Sequence, residues 1–227
     1  MPRGSSRLGY WFIDQSPPLP DPEVPVEQFP NLGFEQGIEG WTVAATRIRM
    51  GGLSILAGFP TPPDPTPTFL TCPGDAVTVS QTPTFAYMLD TTDKPPFGEV
   101  QSMKLVMGSP TYGIISPPSS LLYGPAIYSN FYVNFNAGDT VSFDWKAAPG
   151  TDAYNIFAYM VEQGTGNYVN LLRSYGSNNI SGTTWSTRTV TVPTAGAYKF
   201  VFVSGGWDYT AGTWIGASMW IDNIRRN

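Results

Sequence analysis

Residues 197–224 read AYKFVFVSGGWDYTAGTWIGASMWIDNI. In the first arm Tyr198, Phe200 and Phe202 fall on one face and Lys199, Val201 and Val203 on the other, the period of two that marks a strand. In the second arm Ile215, Ala217, Met219 and Ile221 alternate with Ser218, Trp220, Asp222 and Ile224, so both arms can lay an apolar face on a core. The glycine-rich stretch Gly205–Thr213 reads as the reversal of a long hairpin. A hairpin cannot bury that much aromatic surface alone. The rest of the chain must therefore supply an opposing sheet, and the expected fold is an all-β, jelly-roll-like antiparallel β-sandwich.

The remainder of the chain agrees with that class. Only 13% of the 227 residues are charged, 41% are apolar, and 24 Gly and 22 Pro suit short strands joined by turns. Strand patterns recur at 41–50, 53–58, 76–80, 84–89, 100–107, 112–115, 130–135, 140–147, 154–162, 168–175 and 184–192. Turn signals such as Asn136-Ala137-Gly138-Asp139 and Gln163-Gly164-Thr165-Gly166-Asn167 separate most of them. No stretch of ten residues shows a capped 3.6 period, so helix is expected to be minor.

Residues 1–30 read differently. The patch Tyr10, Trp11, Phe12 is followed by SPPLPDPEVPVEQFP, whose prolines withhold ladder donors and favour extended polyproline conformation. Two units are therefore expected, an extended Pro-rich arm over 1–30 and the sandwich over 31–227, with Tyr10, Trp11 and Phe12 as the arm's partner-binding residues.

Several functions are disfavoured by composition. A net charge of −5 offers no basic stripe for nucleic acid. No segment approaches the ~18 apolar residues of a membrane helix. The lone Cys72 allows no internal disulfide, and the absence of His removes the usual general base and every Ser-His or Cys-His relay. No catalytic residue is expected, and the chain is read as a non-enzyme.

The run NLGFEQGIEGW (31–41), together with SMWIDNI near the other end, resembles jelly-roll carbohydrate-binding modules. These open with Asn-x-x-Phe-Glu-x-Gly-x-x-x-Trp and close on an aromatic-rich strand bearing Asp. The segments 138–166 and 195–224 also resemble sandwich domains of bacterial surfaces and phage virions. The resemblance implies a structural calcium held by Glu35 and Asp222, and sugar stacking on loop aromatics, for which Trp207, Asp208, Tyr209 and Trp214 are the candidates.

The fold type is usually met outside cells, yet the N-terminus carries no export signal. The expectation that reconciles the two is a virion structural protein made in the host cytoplasm and released by lysis. Its expected role is capsid decoration or cement, bound as a homo-trimer to other virion proteins such as the major capsid protein. The alternative is a carbohydrate-binding module or receptor-binding tip that takes a polysaccharide.

Overall fold

The computed structural model describes residues 31–45, 78–79, 84–96, 100–108, 115–116, 121–150, 153–165, 167–176, 183–207 and 217–227; for 78–79, 115–116, 121–122, 153, 175–176 and 207 it describes the backbone. The described residues form thirteen strands and no helix. One sheet runs β1 (Trp41–Ala44), β6 (Leu121–Ser129), β12 (Gly196–Trp207), β9 (Ala153–Glu162), β10 (Tyr168–Gly176), with β7 (Val133–Phe135) also paired to β12. The opposing sheet runs β11 (Ser186–Thr191), β8 (Thr140–Pro149), β13 (Ala217–Arg226), β4 (Ser102–Gly108), β3 (Thr84–Asp90). A two-stranded ribbon pairs β2 (Thr78–Val79) with β5 (Ile115–Ser116). All pairings are antiparallel, and successive strands such as β8 and β9 belong to opposite sheets, as in a jelly roll.

The stretch that opened the sequence reading does not form a hairpin. β12 and β13 lie in different sheets and face each other across the core. Tyr198, Phe200 and Phe202 of β12 meet Met219 and Ile221 of β13 in one apolar cluster. Pairing the two arms in one sheet would have left their apolar faces side by side; placing them opposite buries each against the other. Gly205, Gly206 and Trp207, expected in the reversal, continue β12, paired to Tyr123, Leu122 and Leu121 of β6.

Ile224 is a second departure. It is buried in the core and not on the outer face, because the β13 ladder shifts between Asp222 and Arg225 and Asn223 takes a positive φ of 50°. That one-residue irregularity reverses which side the following residues face.

β6 is the strand the sequence hid. Pro125 has no N–H to give a ladder, and Pro inside a run argues against a central strand. The sheet accommodates it at a register shift: Ala126 pairs with Val203 while Tyr123 pairs with Gly205, so the ladder skips where the donor is missing.

The six-stranded sheet is apolar on both faces. Its inner face supplies Ile156, Ala158 and Met160 of β9, while Phe157 and Tyr159 join Tyr123, Val201 and Val203 in a buried cluster on the other side. The Phe157 and Tyr159 rings stack at 5.9 Å, and burial pushes the Tyr159 hydroxyl well above the ordinary tyrosine range. This explains why YNIFAYMVE is almost continuously apolar instead of alternating with polar residues.

Candidate functional site

The run at 31–41 folds as a hook of consecutive turns, and its residue types follow from the contacts. Asn31, at φ 54°, donates Nδ2 to the carbonyls of Gly37 and Glu39 at 2.9 Å each and accepts the Gln36 N–H on Oδ1 at 3.0 Å. Gly37 turns at φ 73°, where a side chain would strain. Phe34 is fully buried with its ring 5.1 Å from Trp41, and the Trp41 indole donates to the Asn31 carbonyl at 3.0 Å. Ile224 N–H donates to Leu32 O at 3.2 Å, so the hook fastens to the final strand.

Glu35 and Asp222, expected to share a calcium, both lie where the hook meets the five-stranded sheet. Glu35 Oε1 accepts the backbone N–H groups of Val100 and Gln101 at 2.9 and 3.4 Å. Asp222 is fully buried, and its Oδ1 accepts the Asn223 N–H at 2.8 Å. The donor set is hard oxygen, which suits calcium, but among the described residues no three His, Cys, Asp or Glu side chains gather as a metal site. Backbone carbonyls would have to complete the six to eight ligands that calcium takes.

The outer face of the five-stranded sheet is an ordered polar network. Trp220 lies between Lys104 and Lys146 in register, with the two ammonium groups 4.5 and 5.0 Å from its ring centre. Its indole donates to Asp90 Oδ2 at 3.0 Å, while Asp90 Oδ1 accepts from the Thr92 hydroxyl and from the Thr92 and Asp93 amides. Burial alone would raise the Asp90 pKa; the donors from Trp220, Thr92 and Asp93 outweigh it and lower it from 3.8 to about 2. A depressed folded-state pKa contributes stability that is present above about pH 4 and lost as pH falls through about 2, worth roughly 2 kcal/mol. Urea titrations of the wild type and Asp90→Asn should therefore differ in stability at pH 5 and converge by about 2 kcal/mol toward pH 2. A constant difference across that range contradicts this role.

Asp144 of β8 is a strand hydrogen-bonding group. It accepts the Thr187 hydroxyl at 2.5 Å and Asn223 Nδ2 at 3.0 Å, with Arg225 Nη2 at 3.4 Å.

A cleft of about 350 Å³ opens at the turn joining β9 to β10, lined by Glu162, Asn167, Tyr168, Val169, Pro193, Thr194 and Tyr198. The turn is built around Glu162, whose Oε2 accepts the Thr165 hydroxyl at 2.6 Å and Asn167 Nδ2 at 3.2 Å. Gly164 reverses the chain at φ 83°. Gly196 lets Glu162 approach: a Cβ there would meet Glu162 Oε1 at 2.8 Å. Tyr168 stands 36% exposed, its ring edge-on to Tyr159 at 6.4 Å. Tyr198 is fixed by donating its hydroxyl to Thr194 O at 2.8 Å. Burial and then the Glu162 carboxylate raise its pKa, so it remains a neutral donor at all ordinary pH.

The cleft thus brings together a carboxylate, an amide and the Tyr198 phenol, each held by its neighbours, with Tyr168 among its lining residues. Its volume lies in the ~300–1,000 Å³ range of small-molecule sites. Chemically it can hold the hydroxyls of a polyhydroxylated ligand on Glu162 and Asn167, with Tyr168 bordering the opening. Sequence reading had treated Gln163–Asn167 as a plain turn and missed this site; the signal present was a short hairpin loop flanked by Glu162 and Tyr168. Trp207 ends β12, paired to Leu121 and Ala153, while Asp208, Tyr209 and Trp214 lie outside the described residues, as do Tyr10, Trp11 and Phe12.

No protein-family model matches the sequence, and no curated protein does. Solved structures to which the chain is similar include carbohydrate-binding modules. TmCBM61, in complex with beta-1,4-galactotriose, is 12% identical, with a TM-score of 0.41 over 88% of this chain and 96% of that one. CBM27-1 of Caldicellulosiruptor saccharolyticus, in complex with mannohexaose, is 16% identical, with a TM-score of 0.42 over 86% and 93%. The enzymatically active domain of bacteriophage CBA120 tailspike protein 4 is 15% identical, with a TM-score of 0.40, over 88% of this chain but 21% of that one. At scores of this size, what those proteins bind or cut is said of them alone.

Proposed function

We propose that the chain is a non-catalytic carbohydrate-binding β-sandwich whose saccharide site is the cleft between the β9–β10 turn and the start of β12. The supporting observation is that Glu162 and Asn167, both already oriented by hydrogen bonds, line one cleft together with Tyr168 and Tyr198. Preorganised polar groups give orientation without the entropy cost of ordering loose side chains. Depletion binding to a panel of insoluble and gel-embedded neutral polysaccharides tests this. Retention on at least one supports it, and no retention on any rejects it.

A calcium ion is proposed at the hook, with Glu35 and Asp222 supplying carboxylate oxygens and tying residues 31–41 to the last strand. Chelation with EDTA is then expected to lower the melting temperature and added calcium to restore it. An unchanged midpoint would remove the ion and leave both carboxylates as acceptors for backbone amides.

Placement in a virion, bound to a capsid protein as a homo-trimer, is proposed on the Pro-rich composition of residues 1–30 alone. Deleting 1–30 is expected to abolish attachment to particles while sparing saccharide retention. Attachment that survives the deletion contradicts that placement.

A further inference from the structure

A second, smaller cavity of about 170 Å³ lies on the other sheet, lined by Pro95, Pro96, Asp144, Trp185, Ser186 and Thr187. We infer that it is a second saccharide site, sized for a single sugar residue, at the opposite end of β11 from the Tyr168 cleft. It shares with the proposed function only the class of ligand, and neither site needs the other to bind.

Every wall is held in place. The Trp185 indole donates to Asp93 Oδ1 at 3.0 Å, and Asp93 is itself clamped by the Lys146 ammonium. Thr187 is anchored on Asp144, which also takes Asn223 and Arg225. Ser186 donates to Thr184 O at 3.3 Å. The prolines add rigid rings without N–H groups.

Charge selects among ligands. An anion would meet the Asp144 carboxylate directly. A cation would find its charge already answered, because Arg225 pairs with Asp144 and Lys146 with Asp93. A purely apolar guest would strand the carboxylate and two hydroxyls against it. What remains is a neutral polyhydroxylated ring, with its C–H face against the indole and its hydroxyls on Asp144, Ser186 and Thr187. A volume below the ~300 Å³ of ordinary ligand pockets limits it to one residue, where the larger cleft has room for more.

Position adds a consequence. Thr187 and Pro193 line the two cavities and stand six residues apart, so even fully extended chain separates them by no more than about 20 Å. One glycan running along the β11 edge can engage both sites, and a long chain should then bind more tightly than a short one through the raised effective concentration at the second site.

Calorimetry with a panel of neutral trisaccharides (cellotriose, xylotriose, mannotriose and galactotriose) separates the two sites. For a binding trisaccharide the expected stoichiometry is two per chain, falling to one in Trp185→Ala and, independently, to one in Tyr168→Ala. Thr187→Ala, which removes a hydroxyl from the cavity and keeps the indole, is expected to weaken the same site severalfold and serves if Trp185→Ala does not fold. A stoichiometry of one that Trp185→Ala and Thr187→Ala leave unchanged overturns the second site and keeps the first. Binding lost in Trp185→Ala but indifferent to Tyr168→Ala overturns the proposed cleft and keeps this site. Binding of none of the four overturns both.

Discussion

Phe202→Ala should remove roughly 3–5 kcal/mol of stability, the range for deleting a fully buried aromatic side chain. Phe202 has no solvent exposure and sits where the two sheets meet, with its ring 5.4 Å from Phe143 of β8, nearly perpendicular, and 6.2 Å from Trp41. It therefore joins three parts of the chain that are remote in sequence: the strand that ends the hook, the middle of the chain and the late strand β12. Truncation loses the transfer free energy of the ring and leaves a void that the two hydrogen-bonded sheets cannot close without breaking register. Against a typical total of about 5–15 kcal/mol, that loss leaves a marginal domain. Urea unfolding followed by tryptophan fluorescence measures it, and a cost under about 1 kcal/mol would mean that the β12 aromatics are not the seam of the sandwich.

Tyr168→Ala should do the converse, weakening saccharide binding at this cleft while leaving the fold unchanged. The residue opens β10 and borders the cleft with about a third of its surface in water. Removing it costs little packing, because its described ring contact is an edge-on one to Tyr159. The loss of the ring is expected to weaken binding at this cleft about tenfold, which calorimetry reads separately from the second site. Tyr168→Phe keeps the ring and should retain binding. A melting temperature that drops with Tyr168→Ala, or a calorimetric stoichiometry and affinity that it leaves unchanged, contradicts the assignment.

How far the sequence reveals this molecule depends on the kind of signal each element carries. Strands β3, β8, β9, β10 and β11 are legible because alternation or an apolar run is bounded by turn residues, and each appears within a few residues of its expected limits. β6 is not, since Gly124 and Pro125 interrupt the run and only the register shift opposite Val203 and Gly205 explains how a sheet tolerates them. The apolar faces of β12 and β13 are read correctly, while their relation is not: a period of two says which residues share a face and nothing about which strand pairs with which. Ile224 changes sides through the φ of a single asparagine, a conformation that composition does not announce.

The hook motif was legible as a pattern, and the structure supplies its physics through Asn31, Phe34, Gly37 and Trp41. The cleft was not legible, because concavity arises from three segments, 162–169, 193–194 and 198, that converge only when β9, β10 and β12 lie side by side. Aromatic density along the chain pointed instead to 207–214.

The account stands most directly on where a neutral oligosaccharide touches the protein. Titrating ¹⁵N-labelled protein with whichever trisaccharide it binds and mapping the amide shifts should move residues 162–169 and 194–198, with a separate set at 185–187. Shifts that spare the β9–β10 turn altogether, in the presence of saturable binding, would contradict it.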